Sequence, residues 1–177
     1  LGTMVAGSRS RPSRLRAQMS LASDRRVAIA RAIVAAKLDK QAVILKRFAT
    51  PEAAEAVQTA VQGIARMRRM LDEAGTTEEL MGLEGAAAAA YWPAYGCLVP
   101  NDVRFSQRST QPPLDLPNAA LSFLYTLLTG ECVTALHAVG LDPAFGLLHS
   151  EADRKPSLAL DLMEEFRPMV VDQVVLR

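Results

Sequence analysis

Ser20-Leu21-Ala22-Ser23-Asp24-Arg25-Arg26-Val27-Ala28-Ile29 opens a run that reaches Ala49 without a single proline or glycine. Alanine, leucine, arginine and lysine lose little freedom in a helix, so this stretch predicts one long helix. At 100° per residue, Arg25, Arg26, Lys37, Lys40 and Arg47 fall within about 120° of arc. Ile29, Ile33 and Ile44 share that arc, so the helix is expected to pack on both sides and show a narrow basic edge. The rest of the chain has the same character: 177 residues, 50% hydrophobic and only 5% aromatic. The expected fold class is mainly α, a multi-helix domain large enough to bury a real core.

Downstream, Thr50-Pro51-Glu52 has the chemistry of a helix start: a hydroxyl cap, then proline, then acid. That helix should run to about Ala74 and stop at Gly75. Thr77 can cap a third helix through Trp92, ended by Pro93. Within it, Glu84 is followed by Gly85 and five alanines, and Ala87 and Ala88 share its face. Residues 96–117 carry Pro100, Pro112, Pro113 and Pro117 and read as irregular, with a short strand around Asp102-Val103-Arg104-Phe105. A helix from Asn118 to Gly140 is apolar enough to be central. Leu141-Asp142-Pro143 turns the chain toward His149, residues 150–156 form a polar loop, and helices at 157–167 and 169–177 flank Pro168.

At the front, residues 1–18 run through Ser, Gly, Pro and Arg and read as a linker or arm preceding a helical domain over 19–177. Both ends of the chain read as those of a fragment. Cys97 and Cys132 have neither disulfide-framework nor zinc spacing, so a reducing cytoplasmic setting is the default. No apolar run of membrane-spanning length lacks a charge, and no membrane partner is expected.

Charge is divided along the chain. Residues 1–70 hold 14 Lys+Arg against 4 Asp+Glu, and residues 71–177 hold 6 against 15. A basic half can meet a phosphate backbone while an acidic half gathers cations, and solvated faces of opposite sign are the alternative. On the segment Leu158 to Arg167, Asp161, Glu164 and Glu165 fall within about 100° of arc, opposite Leu158, Leu162, Met163 and Phe166. Acids that close need a compensating cation such as Mg²⁺ or Mn²⁺, or else a fully solvated face. His149 lies 12 residues before Asp161, close enough for a loop to fold it over that helix. His137 reads as an ordinary helix-end histidine. One imidazole with the carboxylates of Glu84 and Glu164 has the mixed N/O character of a divalent metal site, although spacing alone does not bring Glu84 to the others. There is no phosphate-cradling glycine loop, His-Glu-x-x-His or nucleophile elbow.

Several phrases then carry a resemblance: Leu38-Asp39-Lys40-Gln41, Leu45-Lys46-Arg47, Gly82-Leu83-Glu84-Gly85, Arg108-Ser109-Thr110-Gln111-Pro112-Pro113, Asn118-Ala119-Ala120-Leu121-Ser122, Gly140-Leu141-Asp142-Pro143 and Ser157 to Glu164. In this order, from about Leu15 onward, the chain resembles the helical catalytic domain of the CRISPR spacer-acquisition integrases. By that resemblance the family's amino-terminal β-rich domain is absent or reduced to a remnant strand at Leu1 to Val5, and the carboxy-terminal tail is incomplete. The resemblance implies Glu84, His149 and Glu164 as ligands of Mg²⁺ or Mn²⁺, with Asp161 a nearby second carboxylate. It implies insertion of foreign DNA into a CRISPR array, a 3′-hydroxyl attacking a phosphodiester at the repeat edge. Arg154, Lys155 and Arg167 would hold phosphates near the metal, while Arg25, Arg26, Lys37, Lys40 and Arg47 track the DNA backbone. The implied partners are double-stranded and branched DNA, a second copy in a homodimer, and a small Cas protein (the one numbered two) bridging two dimers. A non-catalytic helical DNA-binding module derived from such an enzyme is the alternative.

Overall fold

The computed structural model describes residues 12–100, 102–149 and 155–177. Its elements are helices α1 (Pro12–Met19), α2 (Ser23–Phe48), α3 (Ala54–Met70), α4 (Thr77–Gly96), α5 (Leu116–Ala138) and α6 (Ser157–Glu164), a π-helix (Arg167–Asp172) and the short α7 (Gln173–Val175). Among the described residues there is no strand, as a mainly α fold requires.

The long glycine-free run becomes the organiser. α2 packs against α3 and α4 on one side and against α6 and the π-helix on the other, while α5 closes over α6 and the π-helix. Val34, Leu38, Ile44 and Leu45 of α2 meet Ile64 of α3, Leu80 and Tyr91 of α4, Leu121 of α5 and Met163 of α6 in one buried core. Each such side chain contributes roughly 1.5–3 kcal/mol through the apolar surface it removes from water. The polyalanine stretch serves close packing: a Cβ on Gly63 of α3 would lie 3.5 Å from that of Ala90.

Several boundaries differ from expectation, each for a local reason. Residues 12–18, expected within the arm, are helical. Pro12 sits at the start, where its missing N–H costs nothing, and Gln18 docks the helix by exchanging hydrogen bonds with the backbone of Asp142 at 2.8 and 3.0 Å. The remnant strand expected at Leu1 to Val5 lies outside the described residues. α3 begins three residues after Pro51, because residues 50–53 form a turn in which Ala53 N–H reaches Thr50 Oγ1 at 3.3 Å. α4 is capped by Thr76 rather than Thr77, since only Thr76 has an acid at the right spacing. Its hydroxyl accepts from Glu79 N–H at 3.2 Å while Glu79 accepts from Thr76 N–H at 3.2 Å.

Pro93 lies inside α4 instead of ending it. Its lost hydrogen bond is outweighed by aromatic packing, in which Tyr91, Trp92 and Tyr95 touch one another and Tyr95 meets Phe105 edge-on at 5.6 Å. Phe105 is therefore a packing residue, and the strand expected around it does not form among the described residues. α5 starts at Leu116 under an Asp115 cap, whose side chain accepts from Asn118 N–H at 2.9 Å. It ends where Gly140 takes φ 76° and Leu141 N–H returns to Leu136 O at 2.9 Å. α5 is less central than its composition suggests, with Phe123 64% and Leu127 52% exposed. By length and composition alone it could cross a membrane, yet Asn118, Leu121, Tyr125, Cys132 and Leu136 on its other side are buried.

Candidate functional site

The acidic segment of α6 points inward. Asp161 is 0% and Glu164 3% exposed, which overturns the solvated-face alternative for these two residues. Buried carboxylates need donors or cations, and the two obtain them differently.

Asp161 is satisfied by hydrogen bonds alone. Its Oδ1 accepts from the backbone N–H of His149 at 3.0 Å, and its Oδ2 from that of Leu148 at 3.0 Å and from that of Leu147. Its Oδ1 also lies 2.6 Å from His149 Nδ1. Burial alone would raise the Asp161 carboxyl, but these four contacts prevail and hold it below the ordinary carboxylate value. Asp161 thus fastens the loop 147–149 and orients one imidazole, leaving Nε2 as the ring's other functional nitrogen. His149 lies in this loop rather than in a helix. Gly146 makes the approach possible: a Cβ there would sit 2.5 Å from His149 O and 2.7 Å from Ser157 Cβ.

Glu164 is satisfied by cations. Lys37 Nζ stands 2.6 Å from Glu164 Oε2 and also bonds Glu84 Oε1, while Arg167 Nη1 lies 2.9 Å from Glu164 Oε1. Lys37 is 6% exposed, so the residue expected on the phosphate-tracking edge is instead an internal counterion. Burial works against its charge, yet the Glu164 and Glu84 carboxylates outweigh that and hold its pKa above the ordinary value. Helical periodicity could not separate Lys37 from the other basic residues of α2, because nothing on α2 shows that acids of α4 and α6 face it.

Beneath these groups lies a polar floor that the sequence reading missed. Asp172, at the end of the π-helix, accepts from the hydroxyls of Tyr91 (2.8 Å) and Tyr125, and Tyr95 donates to its backbone carbonyl at 3.0 Å. Burial pushes the Asp172 carboxyl up to about 6 despite those bonds. A cavity of about 220 Å³ opens above, lined by Lys37, Glu84, Trp92, Arg108, Arg167 and Asp172 among others.

This geometry draws carboxylates of two distant helices onto one buried cation, and comparison with known proteins gives it a context. The family model described as CRISPR associated protein Cas1 matches residues 1–177. The chain belongs to the Cas1 family. A CRISPR-associated endonuclease Cas1 of Leptospira interrogans is 41% identical over 152 residues, covering 82% of this chain and 60% of that protein. A second, from Rhodospirillum rubrum, is 42% identical over 159 residues, covering 84% of this chain and 46% of that protein. The chain therefore spans roughly half the length of such Cas1 relatives.

Solved structures match as well. A CAS1 protein from Thermotoga maritima superposes with a TM-score of 0.83 at 28% identity, covering 99% of this chain and 55% of that one. A casposase bound to integration product gives 0.82 at 31%, covering 99% and 49%. A chain of a partial Cas6-RT-Cas1–Cas2 complex gives 0.84 at 25%, covering 99% and 52%.

Within this Cas1 domain the expected ligand set is only partly assembled. Glu84 and Glu164 converge, and His149 is tied to Asp161. Among the described residues no group of three or more His, Cys, Asp or Glu side chains stands ready to hold a metal. The donor chemistry nevertheless fits a hard divalent cation. Two carboxylates already share a cation, and Glu164 Oε2 is buried without a well-directed hydrogen bond despite its closeness to Lys37.

Of the remaining basic residues, Arg25 and Arg47 on α2 and Lys155 before α6 are exposed. Arg26 donates to Gly146 O at 3.2 Å, and Lys40 sits 3.6 Å from Glu165 and over the Phe166 ring. Arg154 lies outside the described residues. Both cysteines are free thiols.

Proposed function

We propose that this chain carries the catalytic centre of a metal-dependent DNA integrase and endonuclease of CRISPR adaptation. It would join the 3′-hydroxyl of a DNA fragment to a phosphodiester at the edge of a CRISPR repeat. The observation that carries the reading is the meeting of Glu84 from α4 and Glu164 from α6 on one buried cation, with His149 bonded to Asp161, one helical turn before Glu164 on α6. The casposase relative bound to integration product supports the reaction class, and the Cas1–Cas2 assembly supports a small Cas partner.

Glu84, Glu164 and His149 would hold Mg²⁺ or Mn²⁺, which supplies Lewis acidity at the phosphoryl group and lowers the pKa of the attacking hydroxyl. Asp161 is a positioning residue, since its oxygens are taken by the His149 loop. Arg167, beside Glu164, would neutralise phosphate charge, and the exposed Arg25, Arg47 and Lys155 would contact the backbone of branched and double-stranded DNA. Arg26, Lys40 and Arg154 belong to the same proposed surface, and binding would weaken steeply with salt. The working unit would be a homodimer, paired with a second through the small Cas partner, in the reducing cytoplasm.

The test is joining of a branched DNA with a free 3′-hydroxyl in Mn²⁺ by the whole natural chain. Glu84→Ala, His149→Ala and Glu164→Ala should each abolish joining while keeping the helical fold. Full activity in any one of them removes that residue from the site.

One observation favours a second reading: the ammonium of Lys37 stands between the two carboxylates. In that reading the domain is a non-catalytic DNA-binding module whose acids only neutralise Lys37. It predicts binding of the same DNA that is indifferent to chelator and to Glu164, with no joining.

A further inference from the structure

Arg108 has so far appeared only in the wall of the cavity. Its guanidinium is fixed from behind: Nη1 donates to Asn118 Oδ1 at 2.9 Å and to Ser109 O, and Nη2 to Ser122 Oγ at 3.3 Å. It also lies over the rings of Trp92 at 5.7 Å and Tyr125 at 5.6 Å. The Tyr125 ring carries a second guanidinium, that of Arg167, at 4.8 Å. Two like charges therefore share one aromatic ring at the rim of one cavity. Burial, and then the neighbouring Arg167, press the Arg108 guanidinium below its ordinary pKa.

The anions at hand do not answer this charge. Arg108 makes no ion pair with a carboxylate among the described residues. Glu164 is shared between Arg167 and Lys37. Asp172, in the cavity wall, has one oxygen bonded to the Tyr91 hydroxyl and the other to that of Tyr125. Arg167 Nε is buried with no partner at all. Arg108 keeps its Nε–H and one Nη2 hydrogen uncommitted and Arg167 keeps its Nε–H, and such donors on two guanidiniums that line one cavity suit a phosphate, which accepts several charge-assisted hydrogen bonds at once.

We propose that Arg108 and Arg167 form a two-guanidinium clamp for one DNA phosphodiester, seated in the cavity beside Glu84 and Lys37. The clamp rests on the integrase reading of this site. Its ligand is either the linkage under attack in the target strand or the last linkage before the attacking 3′-hydroxyl. Both present the same non-esterified phosphate oxygens. The polyaromatic backing keeps the two forks in place before DNA arrives, so little ordering is left for binding to do.

The test uses the whole natural chain, a branched DNA and chelator, so that binding is read apart from chemistry. One neutral methylphosphonate linkage is moved stepwise along the target strand and the 3′-ended strand, and affinity is followed by fluorescence anisotropy. Wild type should lose about tenfold at a single linkage, as expected for a lost charge-assisted contact, and the strand carrying that linkage identifies the source. Arg108→Gln and Arg167→Gln should each lose a similar factor on unmodified DNA but little more at that one neutral linkage.

Arg108→Gln also disturbs the bonds to Asn118 and Ser122, so its melting temperature is measured alongside. If it does not fold, the wild-type scan and Arg167→Gln decide the question. The clamp is overturned if both variants bind unmodified DNA like wild type, or if they lose as much at every neutral linkage as wild type does. Joining that proved independent of Glu164 would instead defeat the integrase reading while leaving the linkage coupling intact.

Discussion

Two carboxylates one helical turn apart on α6 are buried to the same depth and handled in opposite ways. Asp161 receives three backbone N–H groups and an imidazole, so both its oxygens are fully engaged by neutral or shared donors. Glu164 receives an ammonium and a guanidinium, and Oε2 keeps no well-directed hydrogen bond. The first arrangement is a clasp, specific in direction and tied to the backbone. The second is an ion cluster held by charge, and the proposed metal site requires that one cation exchange there for another. Burial alone therefore does not mark a reactive group; the kind of partner does.

The contrast breaks most sharply at Lys37. Lys37→Met leaves Glu84 and Glu164 without their shared ammonium, and loss of one member of a buried ion cluster costs about 3–5 kcal/mol. Chemical denaturation should show that loss in chelator, and Mn²⁺ should recover a larger part of it than it adds to wild type. Failure of Mn²⁺ to do so would mean the carboxylates cannot exchange one cation for another.

The floor of the ion cluster gives a pH signature next in size. The Asp172 carboxyl rises from 3.8 to about 6 in the fold. A raised pKa means the folded state holds the proton more tightly, so this contribution is fully present below pH 3.8 and lost as pH rises through about 6. The difference amounts to about 3 kcal/mol. In Asp172→Asn that slope of stability between pH 4 and 6 should vanish. Asp161 has the opposite sign. Its lowered pKa stabilises the fold above the ordinary carboxylate range, and the contribution is lost as pH falls through the folded value.

Asp161→Asn tests the clasp directly. An amide presents N–H groups where backbone N–H groups already point, which should cost about 2 kcal/mol. Mn²⁺ should not restore it, in contrast to Lys37→Met, and joining activity should fall because His149 loses its orientation. The smallest effect is expected at the end of α5. Gly140→Ala forces a side chain to a positive φ and should cost about 1 kcal/mol, read as a lower melting temperature with DNA joining unchanged.

Much of this was legible along the chain because helix formation is a local matter. The glycine-free run 20–49 acts within a few residues and becomes α2. Two expected boundaries fall elsewhere: Thr76, not Thr77, caps α4, and α6 ends at Glu164 with Pro168 inside the π-helix instead of between two helices. Pro93 misled for the complementary reason: its cost is local, but the packing that outweighs it engages Phe105 outside the helix and Asp172, to which Tyr91 and Tyr95 donate. The strand expected at 102–105 failed likewise, since a strand needs a partner that no local pattern supplies.

By itself the sequence determined a helical domain, the order of its main helices and its divided charge, and it offered candidate site residues that did not include Asp172 or Arg108. Only the tertiary structure decided which of those residues face one another. It turned Lys37 from a surface cation into the ion between Glu84 and Glu164, made Asp161 the support of His149, and set Arg108 beside Arg167. Helical propensity is fixed by neighbours in the chain, whereas the energy of a buried charge depends on partners brought together from distant segments.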